Sequence, residues 1–252
     1  MKKLPLLLLT LSIVLAMIRT AESSTNKMAV DLSNDQVQIN TGFNGTDVML
    51  FGTTNGADDI IVTITGSPET NMVRKKTQIA GIWVNTENVT FDSAPNFYAI
   101  ASTRPLDQIA DPRILKLNQI GAKNLQIVLA QTSKRPTNES LTRYKQALIR
   151  LKSELGLFVI TPGNIKLIDD QLFKTNIYFP ANMSTGNYIA QVFSFKNGKL
   201  VEKTNKPILV EKVGIGAKVF DLAHNQSALY GIIAILIAVG SGWIAAVVFR
   251  KV

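Results

Sequence analysis

Residues 185–204 read TGNYIAQVFSFKNGKLVEKT, and this stretch decides the class of fold. Two runs of alternating apolar and polar residues flank Asn197 and Gly198, a dipeptide typical of the two-residue turn between antiparallel strands. The tripeptide Gly-Asn-Tyr that ends at Tyr188 resembles a tyrosine corner, in which a phenol closes one end of a β-sandwich. The stretch therefore predicts a β-hairpin inside a sandwich.

Shorter runs before residue 103 extend the same pattern. Turn-forming residues separate the runs AVDL, VQIN, DVMLFGTT, DIIVTIT, KKTQIAGIWV, NVTF and NFYAIAS. Short strands at this spacing predict a β-sandwich-like module over residues 24–102, of an immunoglobulin-like type. Its predicted core residues are Val48, Leu50, Ile61, Ile64, Ile82, Val84, Phe97 and Ile100.

The spacing of apolar residues becomes typical of helices over residues 103–156. Thr103, Asp111 and Asn138 are predicted helix caps, and Gly156 is a predicted helix stop. An apolar stripe at steps of three and four indicates that the longest helix packs on a core. The stripe consists of Leu141, Tyr144, Leu148, Leu151 and Leu155.

Strands return in a second β-rich module over residues 157–212. We therefore expect a mainly β protein in which the helical segment is an insertion or a packing layer. Alternation alone leaves open whether the two β-rich modules form one sandwich or two.

Apolar segments mark both ends of the chain. Lys2 and Lys3 precede a short apolar run, which is typical of a secretory signal peptide over residues 1–23. Arg19 leaves an uncleaved anchor as the alternative. Residues 229–249 contain no charge and would form about 31 Å of helix, enough to cross the hydrocarbon core of a membrane.

These ends predict a single-pass protein whose N-terminal region lies outside the cytosol and whose tail, residues 250–252, is cytosolic. Residues 213–226 predict a juxtamembrane amphipathic helix. Small residues every four positions in the span favour close packing on a partner helix, although such residues are also common in membrane helices. They are Ala234, Ala238, Gly242 and Ala246.

Composition removes several classes of activity. The 252 residues include no cysteine and one histidine, which excludes a disulfide scaffold and a cysteine nucleophile. No nucleophile elbow, phosphate loop or zinc-ligand spacing occurs. We therefore expect no enzyme activity, no metal and no cofactor; a serine–lysine hydrolase is the least favoured alternative.

The net charge of +9 is unevenly distributed. Residues 24–110 hold five basic and nine acidic side chains, whereas residues 111–220 hold 17 basic and seven acidic ones. The basic half leads into the membrane, so attraction to anionic lipid heads is physically possible, although a solvated lysine-rich surface is the favoured explanation of the charge. Nucleic acid is not an expected partner, because no binding motif occurs.

A cluster of basic and aromatic residues gives a candidate ligand site. Arg74 and Lys75 precede Trp83 on one predicted strand. With Tyr98 and Arg104 they could converge on an anionic or flat ligand, because guanidinium groups bind oxyanions and aromatic faces bind cations or rings. Alternation places consecutive basic residues on opposite faces, so only part of the cluster can share a site.

Seven segments, in order along the chain, resemble the alphaproteobacterial putative transmembrane protein family. They are TGFNGTDVMLFG, VRKKTQIAGIWVN, NFYAIASTRPLDQIA, RYKQALIRLKSELGLF, GNYIAQVFSFKNGKLVEKT, LVEKVG and LYGIIAILIAVGSGWIAAVVFRK. The resemblance implies a bacterial inner-membrane protein with a large periplasmic region, which suits the missing cysteines. The family has no established activity; its members often lie beside sulfite-exporter-type permeases, which implies a transport-associated role.

Two hypotheses of function follow. The first is a non-enzymatic accessory or assembly partner of an integral membrane transporter, for example one of the sulfite-exporter type. The alternative is a periplasmic binding module for an anionic solute or an envelope polymer. The single small-residue span and the lack of catalytic parts favour the first.

Overall fold

Strands predominate over residues 27–131 and 136–250, the part of the chain that the computed structural model describes. The strands are β1 (Val30–Leu32), β2 (Gln36–Ile39), β3 (Thr46–Thr53), β4 (Asp59–Thr65), β5 (Pro68–Ile79), β6 (Ile82–Pro95), β7 (Tyr98–Ser102), β8 (Gly163–Asn164), β9 (Lys166–Ile168), β10 (Leu172–Phe179), β11 (Gly186–Lys196) and β12 (Lys199–Lys212). The helices are α1 (Leu106–Ile109), α2 (Pro112–Leu117), α3 (Asn138–Glu154), α4 (Ile215–Asn225), α5 (Ser227–Phe249) and a 3-10 turn (Ala122–Asn124). The prediction of a mainly β protein with a helical insertion is confirmed. The predicted signal peptide, residues 1–23, lies outside the described residues.

The predicted hairpin forms as β11 and β12, which are antiparallel. The residues between them, Asn197 and Gly198, have φ angles of 50° and 75°. A type I′ turn needs positive φ at both of its central residues, and Asn and Gly adopt that region at the lowest cost. The predicted turn is therefore confirmed, and it fixes the register of β11 and β12.

The other strands assemble around this hairpin. One sheet has the order β1-β3-β10-β9, and a second has the order β2-β12-β11-β4-β7-β8. Both sheets contain strands from the two predicted β-rich modules, because β3 pairs with β10 and β4 pairs with β11. The two modules therefore share the same two sheets; the immunoglobulin-like comparison stays a prediction.

The two sheets face each other across one hydrophobic core. Alternate residues of β3, among them Val48 and Leu50, are buried there together with Val62 of β4. The rings of Phe97 and Phe179 stack in this core with their centroids 5.3 Å apart. A period of two along each strand thus places one side chain in every pair between the sheets.

The opposite face of the six-stranded sheet carries a second core. Ile61 of β4 and Phe193 of β11 are buried there under helical residues such as Leu115 and Leu148. β4 is consequently buried on both faces, and its six residues from Asp59 to Ile64 are all buried. The helical segment is therefore a packing layer on the sheet.

Two predicted core residues lie outside both cores. Ile82 is 69% exposed and Val84 is 42% exposed. The run KKTQIAGIWV was predicted as one strand, but it turns at Ala80 and Gly81, whose φ angles are 51° and 85°. The run instead forms the end of the β5–β6 hairpin, where neighbouring layers cover neither face, and this corrects the prediction.

The predicted helix caps agree with the structure in part. Asp111 caps α2, because its carboxylate accepts a hydrogen bond of 2.8 Å from the backbone N–H two residues later. α3 is capped by Thr137, one residue before the predicted Asn138. The hydroxyl of Thr103 donates a hydrogen bond to Asp59 and does not cap α1, so the prediction of Thr103 as a helix cap was wrong.

The stripe on α3 is buried only at its middle. Tyr144 and Leu148 are buried, whereas Leu151 and Leu155 are exposed. Gly156, with φ at 72°, follows the end of the helix as predicted. The exposed residues lie in the last turn and just beyond it.

Two helices complete the chain. α4 lies within residues 213–226, where a juxtamembrane amphipathic helix was predicted, and Gln226, with φ at −136°, separates it from α5; its place at the membrane surface stays a prediction. α5 has 23 residues and contains an 18-residue apolar window with a mean hydropathy of 2.6, so it is long and apolar enough to cross a membrane. The predicted C-terminal span is confirmed, and the helix begins two residues before the predicted boundary.

Tyr188 occupies the position expected of a tyrosine corner. Its ring is fully buried and packs edge-on against Phe179, with centroids 6.1 Å apart. Its hydroxyl donates a hydrogen bond of 2.6 Å to the carbonyl oxygen of Ser184, four residues earlier. Burial raises the pKa of Tyr188 to about 12, so the phenol stays protonated and keeps this bond at neutral pH.

We expect Tyr188→Phe to lower the free energy of unfolding by about 1 kcal/mol, because the ring stays buried while one hydrogen bond is lost. Urea unfolding of the full chain in detergent micelles measures this change. Tyr178→Phe is the matched control: its hydroxyl donates to the carbonyl oxygen of Asn44 at 3.0 Å but lies at an exposed position. A loss as large in the control would contradict the role of Tyr188.

Candidate functional site

The β5–β6 hairpin extends beyond the packed layers. Its last buried cross-strand pair is Val73 and Val89. Every residue from 74 to 88 is exposed or half-exposed, and we call residues 74–88 the arm. At about 3.3 Å per residue, the arm projects roughly 20 Å beyond this pair.

A carboxylate anchors the base of the arm to the helical layer. Glu87 accepts a hydrogen bond of 2.8 Å from the buried Tyr144 of α3. It also accepts one of 3.1 Å from the ammonium group of Lys75 on the neighbouring strand. The Tyr144 hydroxyl and then Lys75 hold the pKa of Glu87 below its usual range, so the carboxylate is charged at neutral pH.

A second ion pair ties the same helix to the start of the hairpin. Lys152 of α3 is buried and pairs with Glu69 of β5. Its ammonium group lies 5.6 Å from the centre of the Phe158 ring. α3 is therefore attached to the hairpin at two points, eight residues apart along the helix.

A polar groove lies between the base of the arm and the first turn of α3. Its volume is about 800 Å³. The guanidinium group, amides and hydroxyls along it can donate hydrogen bonds to an oxyanion, whereas the charged Glu87 carboxylate, which also lines it, opposes anion binding. The lining residues include Arg74, Asn85, Asn88, Thr137, Ser140 and Tyr144.

Three of the five predicted ligand-binding residues lie on the arm. Arg74 and Lys75 are exposed on β5, and Trp83 is 65% exposed on β6 opposite Gln78. Since successive residues of a strand point to opposite faces, Arg74 lies on the face of Trp83 and Lys75 on the other. Arg74 lines the groove described above.

The other two predicted residues lie elsewhere. Tyr98 is fully buried in the second core, where its hydroxyl accepts a hydrogen bond of 2.7 Å from the backbone N–H of Gly121. Burial raises the pKa of Tyr98 above the ordinary tyrosine value.

Arg104 pairs with Asp59 at the start of β4, whereas the arm departs beyond Thr65 at the end of that strand. Six residues of strand, about 20 Å, separate these two ends. The structure therefore does not bring the five side chains together, and ligand binding by any of them stays a prediction.

Sequence reasoning missed the partners of the arm. Tyr144 was assigned only to core packing, and Glu87 carried no local signal, because the two residues are 57 positions apart. A phenol in an otherwise leucine-rich stripe is the one feature that could have indicated a polar contact. Among the described residues, no group of three His, Asp or Glu side chains gathers as a metal site requires.

The span provides a second candidate surface. α5 is continuous, so its small residues, spaced four apart, lie along one side of the helix. None of the helix's apolar window is buried against the rest of the described chain. The small-residue face is therefore open to a neighbouring helix.

We expect Glu87→Gln and Tyr144→Phe to loosen the arm, because each removes the charge-assisted bond between Glu87 and α3. Limited trypsin digestion measures this, since the arm itself contains the cleavable bonds after Arg74 and Lys75. Cleavage should become severalfold faster while the melting temperature changes little, because the open fraction of the arm controls the rate.

A control variant and the pH dependence of cleavage also test the anchor at Glu87. Glu154→Gln removes a surface pair with Arg150 at 3.7 Å and should leave arm cleavage unchanged. Because the folded pKa of Glu87 is lowered, its contribution is complete above the ordinary value of 4.5 and is lost as the pH falls through the folded pKa; in that range pepsin, which is active in acid, replaces trypsin. Equal cleavage in all variants would contradict the anchor.

Comparison with known families agrees with this architecture. A model of the family described as putative transmembrane protein (Alph_Pro_TM) matches residues 27–251, which covers the sheets, the arm and the span. No curated protein matches the chain. The match confirms the resemblance noted in the sequence, and the chain therefore belongs to the alphaproteobacterial putative transmembrane protein family.

Proposed function

We propose that this protein is a non-enzymatic, membrane-tethered module that assembles with an integral membrane protein of the bacterial inner membrane. The observation that carries the proposal is the open small-residue face of α5. The described chain buries none of the apolar window of this helix. In lipid, small residues let two helix backbones approach closely and gain packing contacts. A transporter of the sulfite-exporter type is the partner we favour.

The proposed orientation places the sheets in the periplasm and the C-terminal side of α5 in the cytosol. Arg250 and Lys251 follow the helix directly, and basic residues at a helix end favour the cytosolic side. A large region without cysteine is compatible with this compartment. The predicted signal peptide would direct the same orientation.

The pairing of buried charges supports a role other than catalysis. Buried Asp59 binds Thr103 at 2.8 Å and Arg104 at 2.8 Å, and buried Lys152 binds Glu69. These groups join elements of the fold to one another. Arg104 is the first cause of the lowered pKa of Asp59, which keeps this carboxylate charged and engaged.

We expect Ala238→Leu and Gly242→Leu to reduce capture of the partner severalfold, because a larger side chain on this face keeps the helices apart. Affinity purification from gently solubilised native membranes, after crosslinking, measures what is captured. Gly240→Leu is the matched control, since it makes the same change about 200° around the helix from Gly242.

Two results would contradict assembly through α5. One is capture of the protein alone and monomeric from native membranes. The other is equal capture by Gly242→Leu and Gly240→Leu, which would show that the small-residue face is not the contact.

A second candidate function rests on the polar groove. Its volume of about 800 Å³ and its Arg74 guanidinium suit a small oxyanion or a segment of an envelope polymer. In this function the protein binds an anionic solute in the periplasm. The two functions are compatible, because the groove and the span are different surfaces.

For the second candidate we expect sulfite, methanesulfonate or phosphate to raise the melting temperature of the full chain in detergent. A ligand present at 100 times its Kd stabilises the folded state by about 2.7 kcal/mol. Arg74→Gln should abolish the shift, whereas Arg113→Gln, which changes an exposed arginine on α2, should retain it. No shift with any of the three anions would contradict small-oxyanion binding.

A further inference from the structure

The tip of the arm exposes a compact set of large apolar side chains. Ile79 is 54% exposed, Ile82 is 69% exposed and Trp83 is 65% exposed, and Val84 lies beside them. All four lie within residues 79–84 around the turn at Ala80 and Gly81. Large apolar side chains clustered in solvent usually mark a surface that contacts something else.

The apolar character occurs on both faces of the ribbon. The register pairs Ile79 with Ile82, and alternation places Val84 on the same face as this pair. Trp83 lies on the opposite face, where its cross-strand partner is Gln78. A tip that carries large apolar side chains on both faces is suited to entering a medium end-first, whereas docking flat on a protein would use one face only.

Three basic residues lie on the β5 strand of the arm, between its base and the tip, and we call them the basic collar. Arg74, Lys75 and Lys76 are consecutive, so they point to both faces of the ribbon. Glu87 is the one acidic residue within residues 74–88, and it pairs with Lys75. The arm therefore presents an excess of positive charge, which complements anionic lipid head groups.

The spacing of tip and collar suits the layers of a bilayer. Lys76, the collar residue nearest the tip, is three positions from Ile79, about 10 Å along the strand. The interfacial layer on each side of the hydrocarbon core is roughly 5–8 Å thick. The Lys76 ammonium group would thus lie at head-group level when the isoleucines reach the acyl boundary, and tryptophan favours that boundary because its ring is apolar with one polar N–H.

The strand directions relate the arm to the segment that leads into the spanning helix. Thr65, the last residue of β4, pairs with Ile189, which pairs in turn with Pro207 of β12. From that level β12 continues to Lys212 and then leads into α4 and the spanning helix α5. The arm and the membrane anchor therefore leave the six-stranded sheet at the same end.

We propose that the tip of the arm, residues 79–84, inserts into the interface of the anionic bilayer that α5 spans. The bilayer is the occupant that accounts for an apolar surface on both faces, a basic collar behind it and an anchor at the same end of the sheet. This second attachment restrains the orientation of the sheets relative to the membrane. It does not depend on a partner for α5.

The test uses Trp83 as its own probe. The chain has two tryptophans, so in the full-length Trp243→Phe variant the emission comes from Trp83 alone. This variant is reconstituted into vesicles of phosphatidylcholine with phosphatidylglycerol, and into phosphatidylcholine alone. We expect a blue-shifted emission in the anionic vesicles and strong quenching by lipids brominated near the head group, with weaker quenching by deeply brominated lipids.

Variants separate insertion from other causes. Ile79→Ser with Ile82→Ser should abolish the quenching, and Arg74→Gln with Lys75→Gln and Lys76→Gln should reduce it toward the level in phosphatidylcholine alone. Leu117→Ser, at an exposed apolar position on α2, is the matched control and should leave the quenching unchanged. The substituted side chains are exposed, so circular dichroism should show an unaltered fold.

Three outcomes would overturn the proposal. The first is that aqueous acrylamide quenches Trp83 and brominated lipid does not, in both kinds of vesicle. The second is that brominated lipid quenches the variant with Ile79→Ser and Ile82→Ser as strongly as its parent. The third is that the Trp83 emission shifts only when solubilised membrane proteins are added, which would show that the tip binds a protein and not the bilayer. Each outcome is independent of capture through α5, so failure here and failure of the proposed assembly are distinguishable.

Discussion

Burial of β4 on both of its faces is the constraint on which the rest of the structure depends. Its side chains alternate between the core of the two sheets, which holds Val62, and the core beneath the helices, which holds Ile61. Each fully buried isoleucine or valine contributes about 1.5–3 kcal/mol of hydrophobic stabilisation. Asp59 begins this strand as a buried carboxylate, and its bonds to Thr103 and Arg104 compensate for the lost hydration. Both layers, and the hairpin that continues from β4, are positioned by this strand.

Elements governed by neighbours in sequence could be predicted, and those governed by distant contacts could not. The turn at Asn197 and Gly198 and the spanning helix α5 follow from local chemistry, that is, from positive φ and from a continuous apolar run. The exposed run at Ile82 followed the same alternation as a buried strand. Alternation reports which residues share a face, but it does not report whether another layer covers that face. That coverage depends on how far a hairpin extends past the layers around it.

The candidate site shows the same division. Arg74 and Trp83 were grouped because they are close in sequence, and both are on the arm. Tyr98 and Arg104 were added because their side chains suited a ligand, but tertiary contacts had already engaged them, with Gly121 and with Asp59. Sequence identifies the donors that a residue offers. Only the fold shows which of them are already bonded within the protein.

The parallel pairing of β2 with β12 has a mechanical consequence. Gln36–Ile39 pairs in register with Leu209 to Lys212, the last strand residues before the helices that enter the membrane. A pull from the membrane along β12 is directed along these strands and therefore across the hydrogen bonds between them. Bonds loaded in this way must break together rather than one after another. The pairing of β2 with β12 therefore resists tension where the chain leads into the membrane. Motion of the span, or of a protein bound to it, would move the two sheets together. It would not detach the last strand from its sheet.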